Sequence, residues 1–365
     1  MIGNMKYYFI QSLRMEVLMG ARFNKKIILF LILIVCSIGV ILLFQYMINS
    51  NNEDKNKDTI RIGVAIYRGD DTFISTMMGD LDSYAKTMEQ EKGIKIKVDI
   101  ADANENQSIQ NDQIDKFISL KYDVLCVNMV DRTEASSIID KAMEAKIPIV
   151  FFNREPVEED MNRWEKMYYV GSDAKTQAVL QGELIIDAYK ENPENIDING
   201  DGRIQYVMLE GEIRHQDSMV RTEWSVLTLK NYGLKLEKLV GGIANWERTQ
   251  ASALMETWHK TYGDQIELII CNNDDMALGV VDALERANYS FHNIVGIDGT
   301  PQGLDAVKEG KILGTVMSDT TLHAKAIFDV AYALTVGDDV SKVVTLENNK
   351  YVRIEQYKLT LKDVQ

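Results

Sequence analysis

Asp197, Asn199 and Asp201 stand at alternate positions in the run DINGDGRIQ (197–205), with Gly202 allowing a sharp turn and Gln205 adding one more oxygen. Alternation points successive side chains to one side, and a hard cation such as Ca²⁺ collects about six to eight oxygens. The same residue types also favour a plain solvated turn. Counted from Asp197, position twelve is Met208, where a helix–loop–helix calcium site needs a bidentate glutamate. The missing carboxylate must therefore come from elsewhere in the chain, and the loop is not half of a calcium-sensor helix pair. Directly after it, Ile204–Leu209 reads as a buried strand whose end carries Gly211, Glu212, His215, Asp217 and Arg221. In open α/β folds, ligands sit beyond the carboxyl ends of the strands.

Other strand ends share that chemistry. Asp71 and Phe73 follow the first apparent strand, and Asn153 ends the fourth. Asn245 and Trp246 follow LKLEKLVGG, and Asn272, Asn273, Asp274 and Asp275 follow IELIIC. Asp298 follows NIVGI, while Ser318 and Asp319 follow ILGTVM. Singly, each has a bland account: Asp71 and Asp298 as helix caps, Arg221 as a surface charge, Phe73 and Trp246 as core. Together, at one end of parallel strands, they describe a site. A sugar hydroxyl both donates and accepts, so a carboxylate beside an amide or guanidinium satisfies it. Phe73 from one lobe and Trp246 from another would cover the apolar faces of a pyranose. The expected ligand is a small neutral polyol, a hexose. Asp71 and Asp298 could imitate a glycosidase pair and His215 with Asp217 part of a triad, but no nucleophilic serine motif accompanies them. Dinucleotide and phosphate-loop glycine patterns are missing too. The set reads as a binding site, not an enzyme.

These ends need elements to hold them. From Thr59, the apolar strands TIRIGVAIY, IKIKVDIAD, DVLCVNMV and IPIVFFN alternate with helical spacing over 73–91, 108–120 and 134–146. The alternation restarts with a helix over 174–189 and continues through IQYVMLEG, LKLEKLVGG, IELIICNND, NIVGIDG and ILGTVMS, with YVRIEQYKL as the closing strand. Near-continuous apolar strands suit parallel sheets covered on both faces. Strand–helix alternation predicts right-handed crossovers and doubly wound α/β layers. The strands are too many for one small sheet, so two similar lobes with a cleft between them are expected.

Composition narrows the partners and the compartment. With 55 acidic against 40 basic residues, the net charge of −15 argues against nucleic acid, which needs a basic face. Three cysteines in 365 residues build no disulfide framework. Arg22, Lys25 and Lys26 precede an apolar run over 27–48, long enough to cross a bilayer as a helix. The positive-inside rule makes 1–26 a cytoplasmic tail, 27–48 a single-pass anchor, and the rest extracellular or periplasmic. A cleaved signal sequence is the rival reading, and a lipidated Cys36 the third. Residues 49–58, all polar, form a flexible linker. A cytoplasmic repressor is excluded, because a membrane span stands where its DNA-binding head would be.

From Thr59 onward, the stretches YRGDDTF, QNDQID, VFFNREP, YYVGSD, DINGDGRIQ, GEIRHQD, CNNDDMALG and VGID together resemble the periplasmic galactose/glucose-binding proteins, within the type I solute-binding family. The resemblance implies two α/β lobes joined by a three-segment hinge, with 59–172 and 319–353 forming one lobe and 173–318 and 354–365 the other. It implies that Asp71, Phe73 and Asn153 hold the sugar from the first lobe. His215, Asp217, Arg221, Trp246, Asn273 and Asp298 would hold it from the second. It also implies a structural Ca²⁺ bound by Asp197, Asn199, Asp201 and Gln205, by the backbone carbonyl of Arg203, and by Glu267 as the remote carboxylate. Ser318 departs from the family's sugar-binding asparagine, and the membrane anchor departs from its freely periplasmic members. The implied function is a receptor that binds D-glucose or D-galactose and delivers it to an ABC permease. The alternative is an anchored sensor signalling to a membrane histidine kinase or a chemoreceptor.

Overall fold

The computed structural model describes residues 30, 36–41, 59–213 and 215–364. The chain divides into two compact units, 1–57 and 58–365. In the first, residues 36–41 are helical. The expected tail, anchor and linker otherwise lie outside the described residues. Among the described residues no helix is long and apolar enough to cross a membrane.

The second unit begins with β1 (Thr59–Ile66), α1 (Thr72–Lys92), β2 (Lys95–Asp102), α2 (Gln107–Ser119), β3 (Val124–Val127), α3 (Ala135–Ala145), β4 (Ile149–Phe152), the short α4 (Glu158–Met161) and β5 (Met167–Gly171). It continues with α5 (Ala174–Glu191), β6 (Ile204–Glu210), α6 (Gln216–Tyr232), β7 (Leu236–Ile243), α7 (Arg248–Tyr262), β8 (Leu268–Cys271), α8 (Asp274–Arg286), β9 (Ile294–Val295), α9 (Pro301–Lys308) and β10 (Gly314–Ser318). The chain then adds α10 (Thr320–Val336), β11 (Tyr351–Arg353), β12 (Gln356–Thr360) and α11 (Leu361–Val364).

These strands make two six-stranded sheets, β11-β5-β4-β3-β1-β2 and β12-β10-β9-β8-β6-β7, each the centre of one lobe. Every residue of β3, β4 and β8 is buried, because helices cover both faces and leave no side of the strand for water. In α1, Ile74, Met77, Met78, Leu81 and Ala85 form one buried stripe, the spacing of an amphipathic helix. That stripe lies in the same core as Ile327, Phe328 and Ala331 of α10. Asp71 starts α1 by accepting the Ile74 N–H at 2.9 Å, and Gly93 ends it in the left-handed region at φ 64°, a conformation that suits glycine.

Two features depart from expectation. All pairings in the first lobe are parallel, but in the second β12 runs antiparallel to β10. The run YVRIEQYKL is not one strand: Ile354 and Glu355 interrupt it, β11 edges the first sheet and β12 edges the second. With only two residues between them, the chain has no room for a crossover helix, so the final strand enters its sheet against the grain. The polypeptide thus passes between sheets three times: after β5, after β10, and between β11 and β12. The crossings are tied together. Ser172 Oγ lies 2.7 Å from Ser318 Oγ and 3.3 Å from His323 Nε2, and the Ile354 N–H donates to the Gly171 carbonyl.

Candidate functional site

The carboxyl ends of the two sheets meet over a narrow polar cleft with about 30 Å³ of cavity volume. The first lobe lines it with Tyr67, Asp71, Phe73, Ile74, Asn153 and Arg154, and the second with His215, Asp217, Arg221, Trp246, Asn273 and Asp298. Nine of the ten expected ligand-contacting residues are therefore gathered at one place. Ser318 is the exception. It is buried at the end of β10 with its hydroxyl bonded to Ser172, so it belongs to the crossing between lobes and not to the cavity wall. Tyr67 and Arg154 were not among the expected residues, although each directly follows or closely follows a strand, the position that singled out the others.

Each side chain is held by its element. Asp71 caps α1 with one oxygen and accepts from the Tyr67 hydroxyl at 2.6 Å with the other. His215 caps α6, its Nδ1 accepting the Asp217 N–H at 3.2 Å. Asn273 caps α8 and donates to the Trp246 carbonyl at 3.2 Å. Arg221, one turn into α6 and buried, is clamped by Gln177 Oε1 at 2.7 and 3.0 Å and by the Asn272 carbonyl at 2.8 Å. It lies 3.8 Å from Asp217 and 3.7 Å from Asp298. Trp246 meets the His215 ring edge-on at 5.1 Å. Gly211 makes room for it: a Cβ there would come within 2.2 Å of the indole. Asn153, Trp246 and Asp298 all adopt positive φ, at 60°, 66° and 123°. Such conformations cost about 1–3 kcal/mol each in non-glycine residues and cluster at ligand sites.

The cavity's electrostatics follow from the burial of its side chains. Burial pushes Asp298 well above the usual carboxylate range, with Arg221 only partly offsetting it. Burial raises Asp217 likewise, again opposed by Arg221. His215 is held well below its ordinary value by burial, reinforced by Arg154, Arg221 and Arg132, so its imidazole is neutral at neutral pH. Hydroxyl donors from a ligand would favour the ionised carboxylates. The arrangement offers carboxylates, two amides, two guanidiniums and a neutral imidazole beside three aromatic rings, which suits a neutral polyhydroxylated molecule. Two ion pairs join the lobes beside it: Arg154–Glu212 at 2.6 Å and Arg68–Glu247 at 3.2 Å. Both guanidiniums lie over the Tyr67 ring, at 3.6 and 5.5 Å.

The loop at 197–205 is built from two Asx turns, at Asn199 and Asp201, and a longer bond back to Asp197. Asp197, Asn199 and Asp201 accept from the backbone N–H groups of Gly202, Asp201 and Arg203. Glu267, fully buried, accepts from Asn199 N–H at 2.8 Å and Gln205 N–H at 3.0 Å. The remote carboxylate thus reaches the loop. Asp197 Oδ1 is buried with no hydrogen-bond partner, which fits a cation ligand. Among the described residues no group of three or more His, Cys, Asp or Glu is disposed to hold a metal ion. The three carboxylates of the expected set, Asp197, Asp201 and Glu267, are thus not gathered as a metal cluster, and Asn199, Gln205 and the Arg203 carbonyl would have to complete any site.

A pair of open α/β lobes meeting over a small polar cavity defines a two-lobe solute-binding protein. A periplasmic binding protein domain model matches residues 62–339, and the chain belongs to that family. It is 37% identical over 296 residues to the D-galactose/methyl-galactoside binding periplasmic protein MglB of Haemophilus influenzae, covering 80% of this chain and 87% of that one. It is 31% identical over 291 residues to a putative rhizopine-binding protein of Rhizobium meliloti, covering 79% and 87%. A solute-binding protein from Bacillus halodurans, solved with myo-inositol, superposes with a TM-score of 0.69 at 28% identity, over 84% of this chain and 96% of that one. These relatives are binding proteins and not enzymes.

Proposed function

We propose that the protein is an extracytoplasmic receptor that binds D-galactose or D-glucose between its lobes and hands it to an ABC importer, with 27–48 as its membrane tether. One observation carries this reading: the cleft between the lobes gathers Asp71, Asn153, His215, Asp217, Arg221, Asn273 and Asp298 around Phe73 and Trp246. The relationship to a galactose/methyl-galactoside binding protein over most of both chains supports it. Closure shifts a two-state equilibrium by the ligand's differential affinity for the shut form, and the shut form presents the surface a permease reads. Titration calorimetry with galactose, glucose, xylose and ribose tests the proposal. Tight binding of one hexose is expected, and no heat from either hexose overturns it.

We further propose that the 197–205 loop holds a structural Ca²⁺, bound by Asp197, Asn199, Asp201, Gln205, Glu267 and the Arg203 carbonyl. The partnerless Asp197 oxygen and the buried Glu267 carboxylate support it. When bound, the ion would supply positive charge to a carboxylate cluster and lock the entry to β6.

A further inference from the structure

Arg221 lies in the cleft between two carboxylates and hydrogen-bonds to neither. It stands 3.8 Å from Asp217 and 3.7 Å from Asp298, beyond hydrogen-bond reach. A guanidinium beside a carboxylate ordinarily forms a short charge-assisted pair. Here neutral acceptors take three of its five N–H donors: Gln177 Oε1 holds Nε and Nη2, and the Asn272 carbonyl holds Nη1. One N–H on each Nη is left over, and the guanidinium lies over the Trp246 ring at 5.6 Å. Gln177 does not line the cavity. It is fully buried in the first turn of α5. Asp173, at the first crossing between lobes, fixes that turn: its carboxylate accepts the Thr176 N–H at 2.6 Å and its carbonyl the Gln177 N–H at 3.0 Å. Gly182 lets α5 approach α6, since a Cβ there would lie 2.7 Å from the Thr228 side chain. Among the described residues the Gln177 Oε1 bonds only to Arg221, and its Nε2 is buried without a partner. An unpaired buried donor destabilises a fold, and an apolar side chain of similar size would avoid it. Arg221, and not packing, accounts for the amide.

We infer that Gln177 is a positioning residue of the binding site: it holds Arg221 off Asp217 and Asp298, so that both carboxylates and the two spare guanidinium N–H groups stay free for ligand hydroxyls. This deepens the hexose reading and rests on it for affinity, while the placing of the guanidinium is tested without ligand. Two variants of the full chain separate an acceptor from a filler. Gln177→Leu removes the acceptor, Arg221 should turn onto a carboxylate, and calorimetry with D-galactose and D-glucose should show the bound hexose about tenfold or more weaker. Gln177→Met repeats that test should the leucine protein not fold. Gln177→Glu keeps both acceptor bonds and should stay within about threefold of the parent. The second readout is the Arg221 Nε–H nuclear magnetic resonance signal of the ligand-free protein, identified by its loss in Arg221→Lys. It should exchange slowly with solvent in the parent and in Gln177→Glu, and shift in the acceptor-free variant. An acceptor-free variant that binds the hexose like the parent, or a Gln177→Glu protein weakened just as much, overturns the inference and leaves the hexose reading standing. An Nε–H signal unchanged by removal of the acceptor overturns it too. If the parent binds neither hexose, the hexose reading falls, and the Nε–H signal alone decides whether Gln177 holds Arg221.

Discussion

Trp246 is the most constrained residue of the cavity. It is 7% exposed, sits at positive φ, and depends on the bare backbone of Gly211. Trp246→Ala should weaken hexose binding about tenfold or more, the loss of one aromatic wall, with the fold retained by circular dichroism. Gly211→Ala tests the same wall from behind. Its methyl group would force the indole aside, so binding should fall in parallel with little change in the polar contacts. A variant that binds like the parent removes Trp246 from the site. His323 offers a different test. Its Nδ1 donates to the Asp319 carbonyl at 2.7 Å, its ring meets Phe73 edge-on at 5.6 Å, and burial lowers its pKa from 6.5 to about 4. Because the folded value lies below the unfolded one, its stabilisation is complete above pH 6.5 and is lost as pH falls towards 4. His323→Gln does not titrate, so its melting temperature should fall less steeply than the parent's across that window.

At the scale of elements, the 197–205 loop and Glu267 join the start of β6 to the start of β8, at the opposite end of those strands from the cavity. Chelation, or Asp201→Ala, should therefore lower the melting temperature by several degrees and leave hexose affinity nearly intact. A melting curve indifferent to chelator and to added Ca²⁺ removes the metal. The same element logic explains what the sequence made legible. Loop positions after apolar strands are recognisable from pattern alone, which is why Asp71, Asn153, Asp217 and Asp298 could be placed near one another. Tyr67 and Arg154 escaped because one reads as the last residue of a strand and the other as an ordinary surface cation. β5 escaped because its five residues follow the polar stretch NRWEK and lack a helix before them of useful length. Ser318 stands apart from the gathered set for a three-dimensional reason: its hydroxyl has Ser172 within reach, a contact that arises only when two crossings meet.

For the molecule as a whole, Arg154–Glu212 and Arg68–Glu247 are two ion pairs that span the cleft beside the cavity. Both glutamates are partly exposed, at 24% and 37% of the side chain, so each pair contributes about 1 kcal/mol or less after solvent screening. Glu212→Ala with Glu247→Ala should weaken ligand binding several-fold, enlarge the radius of gyration in small-angle scattering, and become indistinguishable from the parent at high salt. An unchanged scattering profile would show that side-chain packing, and not these charges, governs closure.

Neither sheet is complete until the last stretch of chain has been made. The first lobe lacks α10, which shares a core with β1, β3 and β4, and its edge strand β11, until after β6 to β10 of the second lobe have been synthesised. The second lobe in turn lacks β12. A growing polypeptide therefore stays loose, with apolar strands uncovered, while it leaves the ribosome. Each lobe's sheet therefore closes only when the C-terminal segment is in place.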